Sequence, residues 1–140
     1  FGFDFSKIID DTFYEKTYVQ TQIMGRAILE SVRFMHDKCI VSMVSRRMMD
    51  FYQVGPKDLE GIVNQLQVVK DVDCAIFMYE TGTLEYKVSL RSNGSVDVAS
   101  VAMKFGGGGH VRAAGCTMNG TYHDNINNLS KGIAEQLNIK

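Results

Sequence analysis

Residues 83–92 read Thr-Leu-Glu-Tyr-Lys-Val-Ser-Leu-Arg-Ser, and their character alternates strictly. Leu84, Tyr86, Val88 and Leu90 fall on one side; Glu85, Lys87, Ser89 and Arg91 fall on the other. In an extended chain successive side chains point to opposite faces, so a period of two sorts them into two rows. The segment predicts a β-strand that buries one face and keeps the other polar. Two apolar runs of strand length accompany it. One is Cys39 to Val44; the other is Asp73 to Glu80, built on Ala75, Ile76, Phe77 and Met78. A sheet of this kind has buried strands beside a half-covered one.

Helical patterns separate these runs. From about Asp11 to His36, Met24, Ala27, Ile28, Ser31 and Met35 recur at three- and four-residue steps, as one helix or as two broken near Gly25. A short helix is expected around Arg47 to Tyr52. Gly55-Pro56 opens another, with Asp58 and Glu60 near its positive end and a stripe of Leu59, Ile62, Val63, Leu66 and Val69. Thr81-Gly82 and Asn93-Gly94 mark turns. Ser95 is expected to cap the next helix, whose stripe is Val98, Val101, Ala102 and Phe105. Gly106 to Gly109 stop that helix, and Cys116 to Tyr122 are expected as a last strand. A final amphipathic helix carries Ile126, Leu129, Ile133 and Leu137, with Asp124 at its start. The fold class is therefore α/β (α+β), with helices packed on a small mixed β-sheet behind a linker helix.

The length of 140 residues suits one compact domain with a helical arm. A formal net charge of -1 argues against broad binding of long duplex nucleic acid, which needs a basic surface. A local cluster of cations around one anion stays compatible with that balance. Cys39, Cys74 and Cys116 are far apart and form no CxxC pair, which fits small buried residues in a reducing, cytoplasmic compartment. No apolar run is long enough to span a bilayer, so no membrane partner is expected. The first residues, Phe1 to Asp11, carry acids and do not read as a signal peptide. The chain opens on Phe1 and not on a methionine, and is expected to be part of a longer protein.

The stretch richest in chemistry is Phe105-Gly106-Gly107-Gly108-Gly109-His110-Val111-Arg112-Ala113-Ala114-Gly115. Consecutive glycines are entropically costly to order, so a run of them is either a flexible loop or a backbone shaped for something. Without side chains in the way, backbone N–H groups converge on an anion. His110 can donate to a phosphate or stack on a base, and Arg112 can bind a phosphate through two N–H groups. No Gly-Lys-Ser/Thr follows, so this is not a Walker loop, and the helix before it excludes a dinucleotide fingerprint. Ser89-Leu90-Arg91-Ser92 is a second candidate, with Arg91 near a strand end where ligands gather; the alternative is a solvated arginine. The methionines read as core filling. Tyr14 and Tyr18 read as stacking on a ligand or as docking to another domain.

Val88-Ser89-Leu90-Arg91-Ser92, Asp97-Val98, Ala102, the Phe105 to His110 segment and Ala113-Ala114-Gly115 together resemble the DHHA1 domain of DHH-family phosphoesterases. Within that family the chain is most similar to the nano-RNase/pAp-phosphatase branch, and Asp58 to Asn64 fits the same branch. The resemblance covers about Cys39 to the end. It implies that residues 1–37 are a linker helix from a preceding DHH domain and that 38–140 form the substrate-binding domain.

In such enzymes the DHH domain holds the metals, typically manganese, and the DHHA1 domain recognises substrate. Carried onto this sequence, Gly107, Gly108, Gly109 and His110 would contact a short RNA or small phosphorylated nucleotide, with Arg91 and Ser92 beside them. Arg112 lies where the motif varies. A homodimer is left open. The chain has no Asp-His-His run; His36-Asp37 and His123-Asp124 are separate pairs, so no metal or catalytic residue is expected here, and the isolated chain is expected to be inactive. Three alternatives remain: a non-catalytic RNA- or tRNA-binding module, a cyclic-dinucleotide phosphodiesterase fragment, and a stand-alone hydrolase.

Overall fold

A computed structural model of the chain describes residues 16–138. In chain order its elements are α1 (Tyr18–Leu29), β1 (Val32–Phe34), β2 (Cys39–Val44), α2 (Arg46–Tyr52), a 3-10 turn (Pro56–Leu59) and α3 (Ile62–Gln67). There follow β3 (Cys74–Gly82), β4 (Glu85–Ser92), α4 (Val98–Met103), β5 (Gly108–His110), β6 (Ala113–Asn119) and α5 (Tyr122–Leu137). The strands form one six-stranded sheet in the order β1-β2-β3-β4-β6-β5. β2 and β3 are parallel, joined through α2 and α3, and the other neighbouring pairs are antiparallel. This is the small mixed sheet with packed helices, behind an N-terminal helix, that the sequence pattern predicts.

Strand alternation gives the sheet two faces with two separate cores. One face sets Val41, Ile76, Met78, Val88 and Leu90 against α4 and α5, through Val98, Val101, Leu129 and Ile133. The other sets Ile40, Val44, Ala75 and Phe77 against α1, α2 and α3, through Ile23, Ala27, Met49, Ile62 and Leu66. β2 and β3 are buried on both faces, which explains their unbroken apolar runs. Cys39, Cys74 and Cys116 are free thiols inside this sheet. The Cys74 thiol, buried beside the thiol of its cross-strand partner Cys39, is pushed well above its ordinary range, so it stays protonated and unreactive.

Several local expectations shift. The opening helix ends at Leu29 and not near His36; Val32–Phe34 instead form the edge strand β1. Met35, His36 and Asp37 all take left-handed backbone (φ 54, 55 and 63), turning β1 back onto β2. Residues 11–15 of the expected helix, with Tyr14, lie outside the described residues. Pro56 does open a helical turn, but it is a 3-10 turn; Gly61 (φ 90) then interrupts it before α3. Leu84 sits in the β3–β4 turn with φ 51 and is exposed, so the inward row of β4 is Tyr86, Val88 and Leu90.

Asp97, and not Ser95, caps α4: its carboxylate accepts from the Ser100 N–H at 3.2 Å. Thr121 caps α5, accepting from the Asp124 N–H at 3.1 Å, while Asp124 lies within the first turn. The last strand is Ala113–Asn119, earlier than Cys116 to Tyr122, because the small Ala113-Ala114-Gly115 run inserts between β4 and β5.

Candidate anion-binding cleft

The site follows from strand register. Cross-strand partners share a face, so Ala75 (β3), Arg91 (β4), Ala113 (β6) and His110 (β5) form one row across the sheet. Phe77, Ser89, Gly115 and Gly108 form the next row. Tyr79, Lys87 and Thr117 form the one after. All lie on the face that α1, α2 and α3 cover over β2 and β3. Beyond β3 that cover gives out: Lys87, Thr117 and His110 are exposed, and Ser89, Arg91, Ala113, Gly115 and Gly108 are half-buried. The sheet therefore has a half-bare face, and it is polar.

Where the cover ends, a cleft of about 910 Å³ opens. Its floor includes Phe77, Tyr79, Lys87, Ser89 and Arg91; its wall is the 3-10 turn and α3, through Lys57, Glu60, Asn64 and Gln65. Lys16, Lys57, Lys87 and Arg91 line it against a single carboxylate, Glu60. This local excess of positive charge exists within a chain of net charge -1. Among the described residues neither Arg91 nor Lys87 forms an ion pair. Arg91 holds itself along the strand by donating from Nη1 to its neighbour's carbonyl, Leu90 O, at 3.0 Å. Its remaining N–H groups suit a phosphate.

The wall is fixed to α1. The Asp58 carboxylate accepts from Gly55 N–H at 2.9 Å and from Gln20 Nε2 at 2.8 Å, and Lys16 Nζ donates to Glu60 O at 2.9 Å. The Gly55 N–H, and then Gln20, hold the Asp58 carboxyl below the usual carboxylate range.

The residues predicted from the sequence divide in three. Arg91, His110 and Gly108 share the bare face. Two strand spacings separate Arg91 from His110, about 10 Å between backbones. Gly107 and Gly109 are required by packing. A Cβ on Gly107 would collide with Gly115 O, and one on Gly109 would stand 2.5 Å from Ala113 O. Gly109 also has φ 145. Ser92 and Arg112 stand apart from the face. Ser92 is fully buried, and its Oγ accepts from Gly94 N–H at 3.0 Å and Val96 N–H at 3.2 Å. Arg112 lies at the tip of the β5–β6 hairpin with its guanidinium over Gly94.

Lys87, Tyr79, Lys57 and Lys16 were not singled out from the sequence. For Lys87 the signal was present, since it shares the polar row of β4 with Arg91. Among the described residues no three His, Cys, Asp or Glu side chains gather, so this surface does not fit a manganese centre. Also among them, no helix is long and apolar enough to cross a membrane.

The DHHA1 domain model matches residues 36–138. The chain belongs to the DHHA1 family. This DHHA1 chain is 41% identical over 56 residues to the bifunctional oligoribonuclease and PAP phosphatase NrnA of Mycoplasma pneumoniae, covering 40% of the chain and 17% of that protein. It is 39% identical over 66 residues to NrnA of Thermus thermophilus, covering 46% of the chain and 19% of that protein. It thus spans less than a fifth of the curated relatives it matches. Its fold is that of an exopolyphosphatase-related protein from Bacteroides fragilis, with a TM-score of 0.83 and 22% identity over 96% of this chain and 39% of the other. The DHHA1 segment is one part of these relatives, and the recognition from motifs agrees with the family match.

Proposed function

We propose that this DHHA1 domain is the substrate-recognition half of a metal-dependent phosphoesterase acting on very short RNA or on 3′-phosphoadenosine-type nucleotides. One observation carries the reading: Arg91 and His110 stand in one row on a half-bare, polar sheet face, beside a cleft with several cations and one carboxylate. A guanidinium and an imidazole at this spacing grip an anionic group from two sides. The relatives named as oligoribonucleases and PAP phosphatases act on ligands of that chemistry.

The division of labour follows. Hydrolysis belongs to a DHH domain preceding this one, which would carry the manganese; the residues described here give it no ligand set. This chain fixes the nucleotide and offsets its phosphate charge, which lowers the barrier through positioning and electrostatics. The buried free thiols fit a reducing, cytoplasmic setting.

The test uses Arg91→Ala and His110→Ala in the intact protein, with a diribonucleotide and adenosine 3′,5′-bisphosphate as substrates. A hydrogen bond to a charged group contributes about 1.5–3 kcal/mol, so each variant should lose roughly tenfold to a hundredfold in kcat/KM. Unchanged kcat/KM in both variants would overturn the proposal.

A further inference from the structure

The bare face carries a second cation at a fixed interval from the first. Lys87 precedes Arg91 by four residues on β4 and shares its face, so the two backbones are about 13 Å apart. Between them on β4 lies Ser89, whose row runs to the buried Phe77 on one side and to Gly115 and Gly108, which carry no side chains, on the other. Nothing lies within 4 Å of where a Cβ on Gly108 would stand. Beside the two cations, across β6 and β5, the floor is thus a shallow trough of backbone. Tyr79, the cross-strand partner of Lys87, closes its end with a half-buried ring.

The acids nearest Lys87 on β3 and β4 already accept hydrogen bonds, and Glu60 stands on the cleft's opposite wall. Glu85 Oε1 accepts from Thr81 Oγ1 at 2.7 Å, and Glu80 Oε1 accepts from Arg46 N–H at 2.8 Å. Lys87 is therefore an exposed cation with no carboxylate partner among the described residues.

We propose that Lys87 is a second anion anchor, which makes the cleft select ligands with a phosphate on each side of one nucleoside over ligands with a single phosphate. The inference rests on the reading that Arg91 and His110 hold the first phosphate. The trough then takes the sugar, and the flexible lysine stem reaches the second phosphate without demanding one orientation. Tyr79 offers the ring on which a base stacks, a contact every base can make.

The experiment measures calorimetric affinities of the intact protein, with divalent metal chelated to stop turnover. The probes are adenosine 3′-monophosphate, adenosine 5′-monophosphate and adenosine 3′,5′-bisphosphate. Lys87→Ala should weaken the bisphosphate about tenfold and leave the tighter-binding monophosphate unchanged. Lys87→Arg should restore the bisphosphate. Arg91→Ala should weaken all three. If Lys87→Ala leaves the bisphosphate unchanged, or weakens mono- and bisphosphate equally, the inference falls while the Arg91 site stands. If Arg91→Ala also changes nothing, the parent reading falls with it.

Discussion

Replacing two adjacent glycines separates what the fold needs from what a ligand needs. In Gly107→Ala the new methyl would collide with Gly115 O and lie 2.6 Å from Cys116 Cβ. Both atoms belong to β6, which is paired on both sides by β4 and β5, so neither moves cheaply. Overpacking of this kind costs about 2–3 kcal/mol. At this chain length each kcal/mol lowers Tm by about 3–5 °C, so the variant should melt roughly 6–15 °C early.

Gly108→Ala meets nothing within 4 Å, and its backbone lies outside the left-handed region. Its Tm should hold or rise slightly, since alanine restricts the unfolded chain. The methyl would stand on the bare face in the Ser89 row, two strands across from Arg91 and Lys87, in the trough where the ligand is proposed to lie. Thermal melts paired with calorimetric titration of adenosine 3′,5′-bisphosphate read the two effects apart. The expected pattern is a lower Tm for Gly107→Ala and weaker binding for Gly108→Ala at wild-type Tm. Wild-type melting of Gly107→Ala would refute the packing argument, and wild-type affinity of Gly108→Ala would refute the glycine trough as a seat.

Ser92→Ala strips the acceptor from the Gly94 and Val96 N–H groups, so stability should fall by about 1–3 kcal/mol while nucleotide affinity well below Tm stays unchanged; weaker binding at unchanged stability would return Ser92 to the ligand. Asp58 has a folded pKa below its unfolded one, so its stabilisation is complete above the unfolded value and is lost as pH falls through about 4 and below. Asp58→Asn should therefore be less stable at neutral pH and lose less on acidification. Urea unfolding at several pH values checks this, and parallel pH curves for the two proteins would contradict it.

The sheet's centre was legible because its strands obey simple rules. β2 and β3 are apolar throughout since both faces are covered, and β4 alternates since one is not. β1 was not legible. Val32-Arg33-Phe34 is a three-residue edge strand, and the turn after it uses Met35, His36 and Asp37 with no glycine or asparagine to mark three left-handed residues in a row. The glycine run read as a helix stop. Its further role as strand β5 depends on the small residues of β6, a long-range fit that local propensity does not encode.

In the candidate site, motif and strand pattern together pointed to Arg91, His110 and Gly108, which the register places on one face. They did not reveal that the Ser92 hydroxyl is consumed by its own turn, because the residue two before a glycine reads the same whether it binds backbone or ligand. Nor did they locate Lys57 and Lys16, which reach the cleft only once the α1–α3 layer is folded over the sheet.

The uncovered half of the sheet is carpeted with Lys, Arg, Ser, Thr, His and glycine, and lacks the greasy residues that usually glue two bodies permanently. A neighbouring domain resting on such ground would gain little from expelling water. It would be drawn down by charge and by whatever anion lies between, and would loosen as ionic strength rises. Opening and reclosing of such a contact would then cost little, as expected of a joint held by charge more than by buried apolar surface.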